Sequence, residues 1–394
     1  MVERLFLSQL NGLQHGSLRI TFPDGAFAVV GDHSFPLLEL HIQDPRFFDK
    51  VVKGGSVGFG EAYVDGYWET PDLSALLLLL ARNQPNLGRI RRGFSWVRQK
   101  LDQFYHWTRR NTLEQSKENI QEHYDLSNAF YEMFLDPTMS YSSAYFGNGE
   151  ETLEQAQWKK IDRLLDLANV RSGDRVLEIG SGWGALAQRA AERGCLVKTI
   201  TLSQEQHAYA RSRFEQAGVG DSVDIEILDY REVEGIYDAI VSCEMIEAVG
   251  HEYLESYFAT IARSLKPGGK AVLQAITIPD DRYEAYCRSC DWIQKHIFPG
   301  GHLPSPGEIR TQAQRAGGLF ISQMEGFGAD YAATLRHWSR AFNLNAAKID
   351  QLGFDASFCR RWNYYLSYSE AGFMAGLIDV KHIVLERRAI DPTA

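Results

Sequence analysis

The chain has 394 residues, 44% of them apolar and 23% charged, and 41 basic against 51 acidic side chains leave a net charge of −10. That length suits two or more domains with a sizeable core, and the composition excludes disordered, collagen-like and disulfide-framework classes. The acidic balance argues against a globally basic nucleic-acid binder, so no nucleic acid is expected as a partner.

Residues 1 to 85 alternate short apolar runs with Gly, Asp and Pro turns. Ser17-Leu-Arg-Ile-Thr-Phe22, Phe27-Ala-Val-Val30 and Leu37-Leu-Glu-Leu-His-Ile42 read as strands of a small sheet. A glycine cluster at Gly54, Gly55, Gly58 and Gly60 interrupts the pattern before an apolar helix over Leu73 to Leu80, which completes a small N-terminal α+β module. Residues 86–115 read as a basic, aromatic, helical linker. Between Arg89 and Arg110 seven basic side chains stand against the single Asp102, a local charge of +6, interleaved with Phe94, Trp96, Phe104, Tyr105 and Trp107. Such a segment suits an anionic membrane surface, with rings at the interface and guanidinium groups on phosphates, and equally suits a solvated helix packed between domains. No apolar stretch approaches the ~20 residues of a membrane-spanning helix, and the N-terminus has no long apolar signal core. With five scattered cysteines, this points to a cytoplasmic protein with reduced thiols.

From residue 150 strand and helix patterns alternate regularly. A helix over Leu153 to Ala168 precedes the strand Arg175-Val-Leu-Glu-Ile179, and a helix over Ala185 to Arg193 leads to Leu196-Val-Lys-Thr-Ile-Thr201. A helix from Glu205 to Gln216 leads to Val223-Asp-Ile-Glu-Ile227, followed by Tyr237-Asp-Ala-Ile-Val-Ser242, a helix over Tyr253 to Ser264, a Lys266-Pro-Gly-Gly269 turn and a strand over Lys270 to Ile276. This order predicts an α/β fold with a doubly wound, mostly parallel sheet. An insertion near 279–306, carrying Tyr283, Tyr286, Trp292, Ile293, Ile297 and Phe298, follows the fifth strand, at the carboxyl edge where open α/β sheets bind ligands. The pattern then closes with Leu319-Phe-Ile-Ser322 and Ile383-Val-Leu-Glu386. Cys287-Arg-Ser-Cys290 lacks a second Cys/His pair at ligand spacing, so no metal is expected, and His296 and His302 read as residues that line or close a lid.

The strand Val176-Leu-Glu-Ile179 runs directly into Gly180-Ser-Gly-Trp-Gly184 and then a helix, where glycine permits a tight turn and close approach of a ligand to backbone N–H groups. The G-x-G-x-G spacing lacks the third glycine of the dinucleotide pattern, and the second strand ends in Thr201-Leu-Ser203 instead of an acidic residue. Another nucleoside-bearing cofactor fits better than a nicotinamide.

This run resembles the first motif of S-adenosylmethionine-dependent methyltransferases. Joined with His123-Tyr-Asp-Leu-Ser-Asn128, Leu135-Asp-Pro137, Met139-Ser-Tyr-Ser-Ser-Ala-Tyr-Phe146, Thr201-Leu-Ser-Gln-Glu-Gln206, Asp229-Tyr-Arg231, Met245-Ile-Glu-Ala-Val-Gly250 and Phe327-Gly-Ala-Asp-Tyr331, it makes residues 116–394 similar to the cyclopropane-fatty-acid synthase family. That family includes mycolic acid cyclopropane synthases and relatives that install methylene or methyl branches. The resemblance implies a class I, Rossmann-like methyltransferase domain over 116–394, with a seven-stranded sheet and a lid insertion. It implies S-adenosylmethionine as cofactor, with Tyr124, Tyr141 and Ser142 near its amino-acid end, Gly180, Gly182 and Gly184 against its backbone, Thr201 and Gln206 at the ribose, and Asp229 and Tyr230 near the adenine. Ser181, Trp183 and Leu202 complete the implied cofactor-binding set.

The chemistry implied is transfer of the sulfonium methyl to the cis double bond of an unsaturated acyl chain of a phospholipid, a weak π nucleophile. Catalysis must then rest on orientation and on stabilising a carbocation, for which Tyr124, Tyr141, Tyr145, Phe146 and Tyr331 offer aromatic faces. In cyclopropane synthases the base is a bound bicarbonate held by a glutamate, a tyrosine, a histidine and the backbone around a cysteine. Glu247 and Tyr331 stand at the first two positions here, but Gln274 occupies the histidine position and Ser143 the cysteine position. The Ser143 N–H and hydroxyl, the Gln274 amide and the Ile276 backbone could still hold a small oxyanion. Met245-Ile-Glu-Ala-Val-Gly250, Leu273-Gln-Ala-Ile276 and Ile297-Phe-Pro-Gly-Gly301 look more like the branch that makes 10-methylene fatty acids, so a cyclopropane and a 10-methylene product both remain open. Two rivals stand beside this reading: a methyltransferase for a small soluble acceptor, and a non-catalytic lipid-binding protein that keeps the fold. The expected partners are unsaturated phospholipid acyl chains and an anionic membrane surface, on the inner face of the membrane, and a homo-oligomeric contact through the N-terminal module is left open.

Overall fold

The computed structural model describes residues 2–10, 12–84, 126–147 and 149–388; the basic aromatic segment and Tyr124 lie outside the described residues. The chain packs as two compact units.

In the first unit a helix, Val2–Leu10, precedes the three strands expected from the turn pattern, β1 (Ser17–Thr21), β2 (Phe27–Gly31) and β3 (Leu37–Ile42), joined by β4 (Trp68–Glu69) in the order β2-β1-β3-β4. The glycine cluster interrupts the strand pattern with a helix. It lies within the helix Arg46–Val64, which kinks at Gly55 (φ 56°). Its reason is tertiary: a Cβ on Gly60 would come within 2.6 Å of the Trp292 ring, so only glycine admits that indole. Residues Arg288–Ile297, from inside the expected insertion, and Leu335–Leu377 belong to this same unit. Trp292 packs on Tyr364 with ring centroids 4.6 Å apart, His296 and Lys295 both bond Glu61, and Arg360 donates to the Tyr63 carbonyl at 2.6 Å. The helix Leu73–Arg82 starts at Asp72, whose carboxylate caps Ala75 N, and Ser74 donates to Glu370 at 2.7 Å.

The second unit is the α/β sheet. Strands β5 (Arg175–Ile179), β6 (Leu196–Thr201), β7 (Val223–Ile227), β8 (Tyr237–Cys243), β9 (Leu265–Thr277), β10 (Leu319–Gly326) and β11 (Asp379–Arg387) lie in the order β10-β11-β9-β8-β5-β6-β7. The pairs among β5 to β9 are parallel, and β11 runs antiparallel to both neighbours. Central parallel strands are covered on both faces and therefore read as continuous apolar runs. In β5, Leu177 and Ile179 join a core with Ile240, Tyr257, Phe258 and Leu273, while Val176 turns the other way toward Leu164, Ala187, Val197 and Val241. The odd residue is Glu178, a carboxylate on a strand buried to 3% exposure. Among the described residues no helix is long and apolar enough to cross a membrane.

Candidate active site

Past β5 the chain turns through Gly180, Gly182 and Gly184, at φ of 95°, 48° and 89°. A Cβ on Gly184 would stand 2.8 Å from Ala210 and Phe214, so glycine lets this loop close on the helix Gln204–Gln216. At Gly182 nothing lies within 4 Å of that position. The loop borders a cavity of about 190 Å³, whose walls include Tyr141, Ser142, Gly180, Ser181, Gly182, Trp183, Thr201, Leu202, Gln206 and Tyr230.

These walls are held from behind. Thr201 Oγ1 donates to Gln206 Oε1 at 2.9 Å, and Trp183 Nε1 donates to Asn128 Oδ1 at 2.7 Å. Among the described residues Ser181 Oγ, buried beside the cavity, has no hydrogen-bond partner. Asp229 does not line the cavity; its carboxylate takes the Arg231 guanidinium at 2.8 Å through both Nε and Nη2. The Gly184 position serves packing, as described above.

Two charged wall residues carried no signal by spacing alone. Lys160, on the helix Leu153–Leu167, is 2% exposed and donates from Nζ to Ser142 Oγ at 2.8 Å. Glu178 accepts from Thr199 Oγ1 at 2.5 Å, and burial pushes its carboxyl up to about 8 against the pull of that bond and of Lys160. The cavity wall thus carries the carboxyl groups of Glu178 and Glu244 beside the Lys160 ammonium.

Below β8 the geometry departs from expectation. The donors read as a bicarbonate cradle instead surround Glu244, which follows the last residue of β8 in a left-handed conformation, φ 51°. Glu244 Oε1 accepts from Ser143 N at 2.9 Å and from Gln274 Nε2 at 2.7 Å, while Oε2 accepts from the Tyr331 hydroxyl at 2.6 Å. Its own N–H is tied to the Gln274 carbonyl at 2.7 Å. A separate bicarbonate does not fit this arrangement: the Ser143 N–H, the Gln274 amide and the Tyr331 hydroxyl are spent on Glu244, the Ile276 N–H on Glu247 and the Ser143 hydroxyl on the Ala144 carbonyl. Glu244 also lines the glycine-loop cavity.

Glu247 sits apart from that cradle. The Ile276 N–H donates to its Oε1 at 2.5 Å, its carbonyl accepts from His302 N at 2.8 Å, and its buried Oε2 has no partner among the described residues. Burial, then the neighbouring Glu244 carboxylate, push its carboxyl up to about 8. Burial raises Glu244 as well, but three donors oppose the shift. Three donors thus favour the charged form of Glu244, against one for Glu247.

Of the aromatic candidates, Tyr145 is committed elsewhere, with Arg163 4.5 Å over its ring and His382 stacked at 5.8 Å. Tyr141 packs among Tyr131, Phe134 and Phe298. The Phe146 N–H donates to Asp330 at 3.0 Å. Cys287 groups with His251 and His302, their ligand atoms within 4.8 Å of one another, and the Tyr283 hydroxyl bonds both imidazoles.

A glycine turn after the first strand of a parallel sheet, an antiparallel strand β11 inserted at its edge and a cavity at the strands' carboxyl ends define a class I S-adenosylmethionine-dependent methyltransferase. Residues 111–383 match the family described as mycolic acid cyclopropane synthetase, and the chain belongs to that family. It is a C-methyltransferase of the cyclopropane synthase type. The chain is 42% identical, over 95% of its length and 88% of the relative's, to the tuberculostearic acid methyltransferase UfaA1 of Mycobacterium tuberculosis. It is 33% identical to the cyclopropane-fatty-acyl-phospholipid synthase of Escherichia coli, over 89% and 88% of the two chains. The crystal structure of mycolic acid cyclopropane synthase CmaA1 complexed with SAH and CTAB superposes with a TM-score of 0.65 at 31% identity, covering 69% of this chain and 98% of that one.

Proposed function

We propose that this enzyme methylates the cis double bond of an unsaturated acyl chain still attached to its phospholipid, with Glu244 as the base, and that its product is the 10-methylene chain. The observation that carries the reading is the Glu244 carboxylate, held by Ser143, Gln274 and Tyr331 on the wall of the glycine-loop cavity. The missing cysteine and histidine, which motivated a non-catalytic reading, are answered by the same contacts: their replacements serve an internal carboxylate. The higher identity to a tuberculostearic acid methyltransferase than to a cyclopropane synthase supports the branched product.

S-adenosylmethionine supplies an electrophilic methyl group when bound. Gly180, Gly182, Ser181, Trp183, Thr201, Gln206 and Tyr230 are the residues that would hold it, and Glu178 offers negative charge to a cationic ligand. Attack by the alkene leaves a cation on the neighbouring chain carbon; a hydride shift followed by loss of a proton from the new methyl group gives the exocyclic methylene. Glu244 takes that proton. Burial makes its carboxylate a stronger base than one in water, and the three donors fix both oxygens so that little reorganisation accompanies the transfer. The neutral Glu247 beside it adds no competing charge.

The lipid-bound substrate would be met at an anionic membrane surface through the +6 segment between Arg89 and Arg110. Charge reversal of Arg91, Arg92 and Arg98 is expected to abolish cosedimentation with anionic vesicles, and undiminished binding would refute the membrane contact. The central test incubates the enzyme with methyl-deuterated cofactor and vesicles of unsaturated phospholipid, then analyses the acyl chains by mass spectrometry. A chain that gains the label less one deuteron and reacts as an alkene is the expected product. An inert chain with the same label is a cyclopropane, and an unlabelled chain under conditions of cofactor binding would leave a soluble acceptor as the better reading.

A further inference from the structure

Gln274 can serve Glu244 in only one of its two amide orientations. With Nε2 inward it donates to Glu244 Oε1 at 2.7 Å and to the Ser143 carbonyl at 3.1 Å; flipped, it would set its own oxygen against both acceptors. Something must hold the amide, and the neighbour on its outer side is His382. Strand β11 pairs with β9 so that His382 lies directly opposite Gln274, and His382 Nε2 meets Gln274 Oε1 at 2.9 Å. That contact is a hydrogen bond only if Nε2 carries the proton. The other ring nitrogen decides this: Arg163 Nε donates to His382 Nδ1 at 3.1 Å, and a guanidinium has no acceptor, so Nδ1 must be bare. Arg163 is itself anchored by Glu325 at 2.6 Å and by the Tyr145 ring.

We infer that Arg163 and His382 are positioning residues that, through the tautomer of His382, lock the Gln274 amide toward the Glu244 carboxylate. This deepens the proposed function and rests on Glu244 as the base. His382 is 1% exposed, and burial, with Arg163 and Lys160 nearby, depresses its pKa to about 3, so the ring stays neutral and keeps a single proton to place. The site thus keeps an imidazole on the neighbouring strand, where it acts on the base through the Gln274 amide. None of Arg163, His382 or Gln274 needs to touch the cofactor for this.

The test compares His382→Leu, which fills the space without hydrogen bonds, with His382→Gln, whose amide can both accept from Arg163 and donate to Gln274. His382→Leu is expected to lower kcat roughly tenfold, as for loss of support to one bond on a charged group, with KM for cofactor and vesicles unchanged. His382→Gln should restore kcat to within about threefold of the native enzyme. Full activity in His382→Leu, or a glutamine variant no better than the leucine one, would overturn the inference, the second because it would report packing alone. Glu244→Gln is measured alongside. If it is inactive while His382→Leu is fully active, the base stands and the relay falls. If Glu244→Gln is active the base assignment falls, and the relay is judged on long-range ¹H–¹⁵N spectra, with the His382 signals assigned by their absence in His382→Gln: an Nε2–H tautomer supports it and an Nδ1–H tautomer refutes it.

Discussion

The cofactor half and the carboxylate half of this cavity handle charge in opposite ways. Around the glycine loop, among the described residues, Ser181 Oγ has no partner and nothing lies within 4 Å of a Cβ at Gly182. Beneath β8 both oxygens of Glu244 are already bonded, by Ser143, Gln274 and Tyr331. The first half suits a diffusible ligand, and on the proposed reading the second supplies its own base. An internal carboxylate costs no binding entropy at each turnover and does not depend on a dissolved ion, at the expense of burying a charge that three donors must compensate.

The largest expected effect comes from emptying the second half. Glu244→Gln should reduce kcat by roughly a thousandfold, within the range for loss of a general base. Glu244→Gly sharpens the contrast, since glycine accepts the left-handed backbone at this position and leaves the same donors facing a vacancy. Its rate should rise with added bicarbonate; a rate indifferent to bicarbonate would mean that the cradle fits only a tethered carboxylate.

Next in size is Tyr331→Phe. Its hydroxyl lowers the pKa of Glu244, so its removal raises that pKa further and narrows the range over which the base is ionised. The acidic limb of the pH–rate profile should move to higher pH, with a loss of roughly tenfold at neutral pH. A parallel drop at every pH would assign Tyr331 to packing.

In the cofactor half, Glu178 provides a smaller effect with a definite sign. Its carboxyl, pushed up to about 8, is largely protonated at neutral pH in the ligand-free protein, and a cation favours the ionised form. S-adenosylmethionine should therefore bind more tightly at pH 8.5 than at pH 6.5, by up to roughly tenfold, and release protons on binding at pH 7. S-adenosylhomocysteine, which lacks the sulfonium charge, should show a weaker dependence, and Glu178→Gln should flatten both curves; calorimetry in buffers of different ionisation enthalpy reads this directly. The smallest change is Ser181→Ala, which should weaken cofactor binding about threefold with kcat unaffected, the worth of one neutral hydrogen bond.

The cofactor half was legible because its residues are near in sequence and its geometry is local. A strand, a glycine turn and a helix put Gly180 to Gly184 on one loop whatever the rest of the chain does, and Thr201 bonds a residue only five positions on. The carboxylate half was legible only as a set of positions. Ser143, Gln274 and Tyr331 were each identified, yet the group they serve was missed: Glu244 lies 101, 30 and 87 residues from them. The adjacent Glu247, which the resemblance named, drew attention from a second carboxylate three residues earlier. Lys160 was hidden for a similar reason, as a lysine in an amphipathic helix reads as a solvated side chain until the sheet is closed over it.

By itself the sequence determined the alternation that makes a doubly wound sheet, the loop that turns after its first strand and the motifs that mark the family, because each is a property of short segments and of their order. Only the tertiary structure decided that Trp292 of the insertion needs Gly60, that β11 returns antiparallel to place His382 against Gln274, and that the cradle holds a carboxylate of the chain. Register between distant strands sets those contacts, and register is fixed by the packing of whole faces, which no single segment encodes.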